Sequence, residues 1–71
     1  DPVGLVVRDE ARGELGVVED EIVTGANDVW VVRGGPYGEV LIPVIDQVIV
    51  RIDWDAMTAD VRLLPGLIEE R

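Results

Sequence analysis

Leu15-Gly16-Val17-Val18-Glu19-Asp20-Glu21-Ile22-Val23-Thr24-Gly25-Ala26-Asn27-Asp28-Val29-Trp30-Val31-Val32 is the stretch that decides the fold. Two runs rich in valine and isoleucine flank Gly25-Ala26-Asn27-Asp28. β-Branched residues suit a pleated, half-buried surface, while Gly, Asn and Asp suit turns. The stretch therefore predicts two strands joined by a tight turn. In the first run Val18 and Ile22 share one parity, and Glu19 and Glu21 share the other, the period of a strand with one wet face. Asp20 falls in the apolar row as a polar member. In the second run, Val29 to Val32, both parities are apolar, so this strand is either central or covered on its outer face. Gly25 and Asn27 are expected to take positive φ, with Asp28 completing a structural turn.

Outward from this pair the same grammar repeats. Upstream lies Val3-Gly4-Leu5-Val6-Val7-Arg8, followed by a turn region from Asp9 to Glu14. Downstream, Gly34-Gly35-Pro36-Tyr37-Gly38 reads as a hairpin loop before Glu39-Val40-Leu41-Ile42-Pro43. Pro43 cannot donate to a ladder, so that strand ends or meets an edge there. Val48 to Asp53 and Ala59 to Leu63 alternate again. Leu64-Pro65-Gly66-Leu67-Ile68 reads as a closing turn or a short helix. Six short strands with one apolar face each predict an all-β, six-stranded antiparallel barrel, whose curling removes exposed edges. Expected inward positions are Leu5, Val18, Ile22, Val31, Val50, Ile52, Val61 and Leu63.

The 71 residues make one small domain, 1–71, without repeats or internal linkers. At this size folding hides roughly 60% of the chain's surface. With 48% hydrophobic residues, more apolar surface is present than the interior can take up. The chain has no Cys, His, Ser or Lys. That removes the imidazole base, the usual nucleophiles, the Schiff-base amine and thiolate metal sites, so no catalytic residue, metal or cofactor is expected. Fifteen acids against six arginines give a net charge of −9, which would repel a phosphate backbone and disfavours direct nucleic-acid binding. The same charge either keeps a small domain soluble or attracts a basic protein. No apolar run approaches the roughly 20 residues of a membrane helix, and no signal peptide is evident, so the chain reads as soluble, cytoplasmic and monomeric. The start at Asp1-Pro2, beside an apolar run, suggests a piece of a longer protein.

Three constellations suggest chemistry and fail on geometry or spacing. Glu19-Asp20-Glu21 cannot converge on one cation, because neighbours on a strand point to opposite faces. Asp53, Asp55 and Asp60 lack the glycine and the terminal glutamate of a calcium loop. Gly34-Gly35 precedes no helix and no lysine, so it is not a phosphate loop. Trp30 is either a core residue or an exposed anchor, and Trp54, flanked by acids in a turn, is expected to be partly exposed.

The order of these pieces resembles the C-terminal PRC-barrel domain of the RimM family of ribosome maturation factors. The resemblance runs through Val3 to Val7, Gly13 to Val18, Thr24 to Arg33, Glu39 to Pro43, Val48 to Asp53 and Leu64 to Leu67. It covers nearly the whole chain, and the Thr-Gly-Ala-Asn-Asp turn followed by Leu-Ile-Pro is its most specific part. The resemblance implies a PRC-type barrel that is the C-terminal module of a two-domain factor, with its N-terminal domain absent here. It also implies action late in assembly of the head of the small ribosomal subunit, support of ribosomal RNA processing, and association with head protein nineteen. The family has no catalytic residues to carry over. Its paired aromatics before the barrel have no counterpart in this chain.

With the family in view, an acidic, apolar-rich barrel complements a basic ribosomal protein. The expected partner patch is Trp30, Val32, Tyr37, Leu41 and Pro43, flanked by the acids Asp28 and Glu39. Apolar anchors supply most of the affinity in such an interface and rim charges mainly set the encounter rate. The alternative is a barrel that only supports the missing N-terminal domain.

Overall fold

A computed structural model describes residues 1–65, so the turn or helix expected over Leu64 to Ile68 falls largely outside the described residues. The six elements are all strands: β1 (Val6–Asp9), β2 (Gly13–Ile22), β3 (Val29–Gly34), β4 (Val40–Pro43), β5 (Ile49–Asp53) and β6 (Thr58–Val61). They form one sheet in the order β4-β3-β2-β1-β6-β5. The all-β, six-stranded expectation holds, with two corrections. β1 and β6 run parallel, with Val6 opposite Thr58, so the sheet is mixed rather than antiparallel. Parallel neighbours need a long connection, and here the whole of β2 to β5 supplies it.

The second correction is that the pairing does not close, and β4 and β5 end the order. The backbone of Pro43 fits an edge. Val44 N–H donates to the Asp28 carbonyl at 2.9 Å, which makes that pair a hydrogen-bonded one. Hydrogen-bonded and open pairs alternate along an antiparallel ladder, so Ile42 faces Trp30 through hydrogen bonds and Pro43 opposite Val29 does not. The missing proline N–H therefore lies on the open side, where no ladder needs it.

Three register shifts curl the sheet. They fall opposite Val7/Arg8 in the β1–β2 ladder, between Val18 and Asp20 in β2, and between Ile49 and Arg51 in β5. Each inserts one unpaired residue, bends its strand and inverts the parity beyond it. The bulge at Glu19 sends Asp20 and Ile22 outward, where Ile22 is 46% exposed, and turns Glu21 toward the side of Trp30. The bulge at Val50 turns that residue out as well, while Ile49 and Ile52 pack against the core. Ile22 and Val50 are thus not inward, and Asp20 does not interrupt an apolar row. Leu5, Val18, Val61 and Leu63 are buried on the inner side as expected, whereas Val31, also expected inward, is covered but lies on the outer face.

The turn before β3 is held differently from the expectation. Neither Gly25 nor Asn27 has positive φ; among the described residues the one non-glycine with positive φ is Met57, at 55° in the β5–β6 turn. The Thr24 hydroxyl does the work instead. It accepts from Ala26 N–H at 3.2 Å and Asn27 N–H at 3.0 Å, and it donates to the Asn27 carbonyl. Asn27 Nδ2 then donates to the Asp28 carbonyl at 3.0 Å. A short side chain that returns to its own backbone replaces the left-handed conformation.

Two glycines are required where β2 crosses the end of β3. A Cβ on Gly16 would stand 2.2 Å from the Arg33 carbonyl oxygen, and one on Gly35 would stand 2.2 Å from that of Leu15. Gly16 also has φ +134°. Gly16→Ala is therefore expected to destabilise the domain by at least about 2 kcal/mol. Gly25→Ala should change stability by less than about 0.5 kcal/mol, while Thr24→Val should cost about 1 kcal/mol. Urea unfolding of the three variants checks this, and a strong effect at Gly25 would restore the positive-φ turn.

Asp9 ties together two segments that are far apart in sequence. It is 4% exposed, and its carboxylate accepts from Leu63 N–H at 2.9 Å, Arg12 N–H at 2.9 Å and Ala11 N–H at 3.0 Å. Arg12 Nη1 lies 3.4 Å away. Burial alone pushes the Asp9 carboxyl up, but these amides and the guanidinium outweigh it and hold the group below its ordinary value of 3.8. A carboxyl lowered in the folded state contributes stability above its unfolded pKa and loses it as pH falls through the folded one. Asp9→Asn should cost about 1–3 kcal/mol at neutral pH. It should also flatten the loss of stability below about pH 4. Denaturation curves taken across that window, on parent and variant, measure both effects.

Candidate partner interface

The bulge at Glu19 gives the β2–β3–β4 sheet two distinct faces. On the inner face Trp30 stands between Glu21 and Ile42, and Val32 between Val18 and Val40. Trp30 is 2% exposed and Val32 is fully buried. The indole N–H donates to Glu21 Oε2 at 3.3 Å, so the polar end of the ring is satisfied at the rim of the core. These two residues are core, not partner anchors, and the expected patch is corrected there. The physical reason is parity: Trp30 and Val32 point away from Leu41.

The outer face carries the apolar surface. Val31 pairs across to Leu41 on one side and to Asp20 on the other, and Val29 pairs to Pro43 and Ile22. Leu41 is 46% exposed and Pro43 is half-buried. Val31 is nearly covered in spite of facing outward, which makes it the floor of a shallow strip with Leu41 on one side, Asp20 on the other and Ile22 one pair further along β2. One row further along, Val17 pairs with Arg33. Of the residues expected to meet a partner, Leu41, Pro43 and Glu39 thus border this side. Tyr37 is half-buried and packs against the core cluster instead. Asp28 is half-buried, and its carbonyl serves the turn and the β3–β4 ladder.

A charged clamp closes one end of the strip. Arg33 Nη1 donates to Glu19 Oε1 at 3.1 Å and Nε donates to Glu39 Oε2 at 3.1 Å, with Nη2 on the same Glu39 oxygen. The Glu39 and Glu19 carboxylates hold the guanidinium pKa above its ordinary value, Glu39 more strongly. Arg33 and Glu19 were legible as a cation and an acid, but not as neighbours. The signal was available in part, since Arg33 and Glu39 flank the hairpin loop at mirror positions. Glu19, Asp20 and Glu21 take three separate directions, to Arg33, to solvent and to Trp30. Trp54 in the β5–β6 turn is 51% exposed, as its flanking acids predict. Among the described residues no helix is long and apolar enough to cross a membrane.

The chain is similar to known proteins over nearly its full length. The RimM PRC barrel domain family matches residues 1–67. The ribosome maturation factor RimM of Syntrophomonas wolfei is 51% identical over 67 residues, which are 94% of this chain and 39% of that protein. Its counterpart in Oenococcus oeni is 43% identical over 68 residues, 96% of this chain and 41% of that protein. A crystal structure of a RimM from Pseudomonas aeruginosa, described in terms of 16S ribosomal RNA processing, has a TM-score of 0.78 at 36% identity. It covers 87% of this chain and 40% of that one. The chain spans about two fifths of the length of the curated relatives it matches.

The two faces separate by mutation. Trp30→Ala empties a core site and should cost about 3–5 kcal/mol, enough to unfold much of a domain this small. Leu41→Ala should cost less than about 1 kcal/mol, because its side chain is already half in water. Thermal melts of the two variants decide the assignment. Comparable losses would mean that Leu41 is as much core as Trp30.

Proposed function

The chain belongs to the family of RimM PRC barrel domains, and from that membership we propose that it is the protein-binding module of a ribosome maturation factor. It holds basic head protein nineteen of the small ribosomal subunit while the head assembles, and so assists ribosomal RNA processing. It does this in the cytoplasm, as a monomeric module, without covalent chemistry, cofactor or direct RNA contact. The names of the relatives, which speak of ribosome maturation and of 16S ribosomal RNA processing, support the setting.

The observation that carries the reading is the outer strip of Ile22, Val31 and Leu41, on the opposite side of the sheet from Trp30. A solvent-facing apolar strip gains free energy when a partner covers it. The net charge of −9 draws a basic protein to it and repels bare RNA. Expected anchors are therefore Leu41 and Ile22, with Val31 beneath them, in place of Trp30 and Val32.

Titration of purified head protein nineteen against the folded domain tests this. Leu41→Ala and Ile22→Ala should each weaken binding about tenfold, equal to about 1.4 kcal/mol. Bare 16S ribosomal RNA should leave the domain unshifted at physiological salt. Variants that bind as well as the parent would move the interface elsewhere. A parent that does not bind at all would leave the barrel as a support for the rest of the longer protein.

A further inference from the structure

The clamp at the end of the strip has a geometry that bears on partner choice. Arg33 sits on the outer face of β3, two residues from Val31 and on the same side. Residues two apart on a strand are about 7 Å apart, so any protein that covers Val31 and Leu41 also reaches Glu19 and Glu39. Those two carboxylates come from different strands and converge on one guanidinium. The Arg33 and Glu19 side chains are 50% and 49% exposed, and that of Glu39 is 48% exposed. Exposed ion pairs contribute little net free energy, so this one is readily exchanged. A planar guanidinium matches carboxylates in a fixed fork that an ammonium does not reproduce.

We infer that Arg33 is an internal competitor for the partner: it occupies Glu19 and Glu39 in the free domain and yields them to a guanidinium of the basic protein that docks on the strip. This rests on the proposed partner reading and adds a specificity rule to it. The two carboxylates are held at a spacing already proven for an arginine. Arg33 occupies both of them, leaving the cluster one negative charge in surplus, until an equivalent cation arrives together with an apolar surface. A cationic partner that lacks that apolar surface gains too little to displace Arg33, whose own side chain is tethered at the site.

The role has a consequence that a purely structural ion pair does not share. Removing Arg33 should strengthen binding rather than weaken it. Arg33→Gln keeps the stem that lies beside Val17 and removes the charge. Titrated with head protein nineteen, the Arg33→Gln domain should bind about three- to tenfold tighter than the parent at low salt, and its affinity should fall more steeply with salt. Adding Glu19→Gln and Glu39→Gln to that variant should abolish the gain. Circular dichroism and melting of each variant confirm that it is folded, and Arg33→Ala serves as the second probe if the glutamine itself bonds to Glu39. If Arg33→Gln binds equally or more weakly while the parent binds, the competitor role falls and the partner reading stands. If the parent itself does not bind, both fall together.

Discussion

One unpaired residue, Glu19, decides which side of the central hairpin faces solvent. Up to Val18 the strand keeps the parity that puts its valine opposite Val32 in the core. Beyond the bulge Asp20 and Ile22 point outward together and Glu21 comes under the indole of Trp30. Without the insertion Asp20 would enter the interior unpaired, at a cost of several kcal/mol. Ile22 would take its place in the core and the outer strip would lose its end. The carboxylate of Glu21 would face water and leave the indole N–H without its partner. A single backbone irregularity thus secures the core, satisfies the tryptophan and creates the exposed apolar face.

The second constraint is the meeting of chain segments that are far apart in sequence. Val6 opposes Thr58, and Asp9 accepts from the amide of Leu63, across 54 residues. Glu10 adds a two-pronged pair with Arg62, Nε at 2.8 Å and Nη2 at 3.2 Å. Contacts this non-local cost loop-closure entropy before they return anything, so the β1–β6 join needs strong local bonds. The buried Asp9 carboxylate strengthens that join, because it serves three amides at once. The exposed Glu10–Arg62 pair spans the same join but contributes little on its own.

The strands themselves were legible, because runs of valine and isoleucine between turn residues leave few other readings. Burial was legible only up to each bulge. Val18 and Leu5 were readable as inward; Ile22 and Val50 were not, since each lies at or just beyond an inserted residue and the alternation that placed them had already inverted. No composition signal marks Glu19 or Val50 as the extra residue. Trp30 had two open readings, and the apolar character of both faces of β3 could not decide between them. What decides is the partner strand, where Val18 and Val40 stand opposite Val32 and so fix its neighbour row as core. The turn was placed correctly from Gly25 and Asn27, yet its mechanism lay in the Thr24 hydroxyl rather than in a left-handed backbone at either residue.

The distribution of charge separates encounter from docking. The −9 surplus belongs to the whole chain, but several arginines sit against acids: Arg33 on Glu19 and Glu39, Arg62 on Glu10, Arg51 near Asp53 and Arg12 near Asp9. Such pairs cancel at short range and leave the long-range field almost untouched. A basic protein of the kind proposed would therefore be drawn from about a Debye length away, roughly 8 Å at physiological salt. On contact such a protein would meet acids around the strip that Arg33 already offsets in part. Under the proposed reading, affinity would then come from covering Ile22 and Leu41 and from exchanging one ion pair for another. This arrangement favours a partner that brings apolar and cationic groups in register, and gives little to one that brings charge alone.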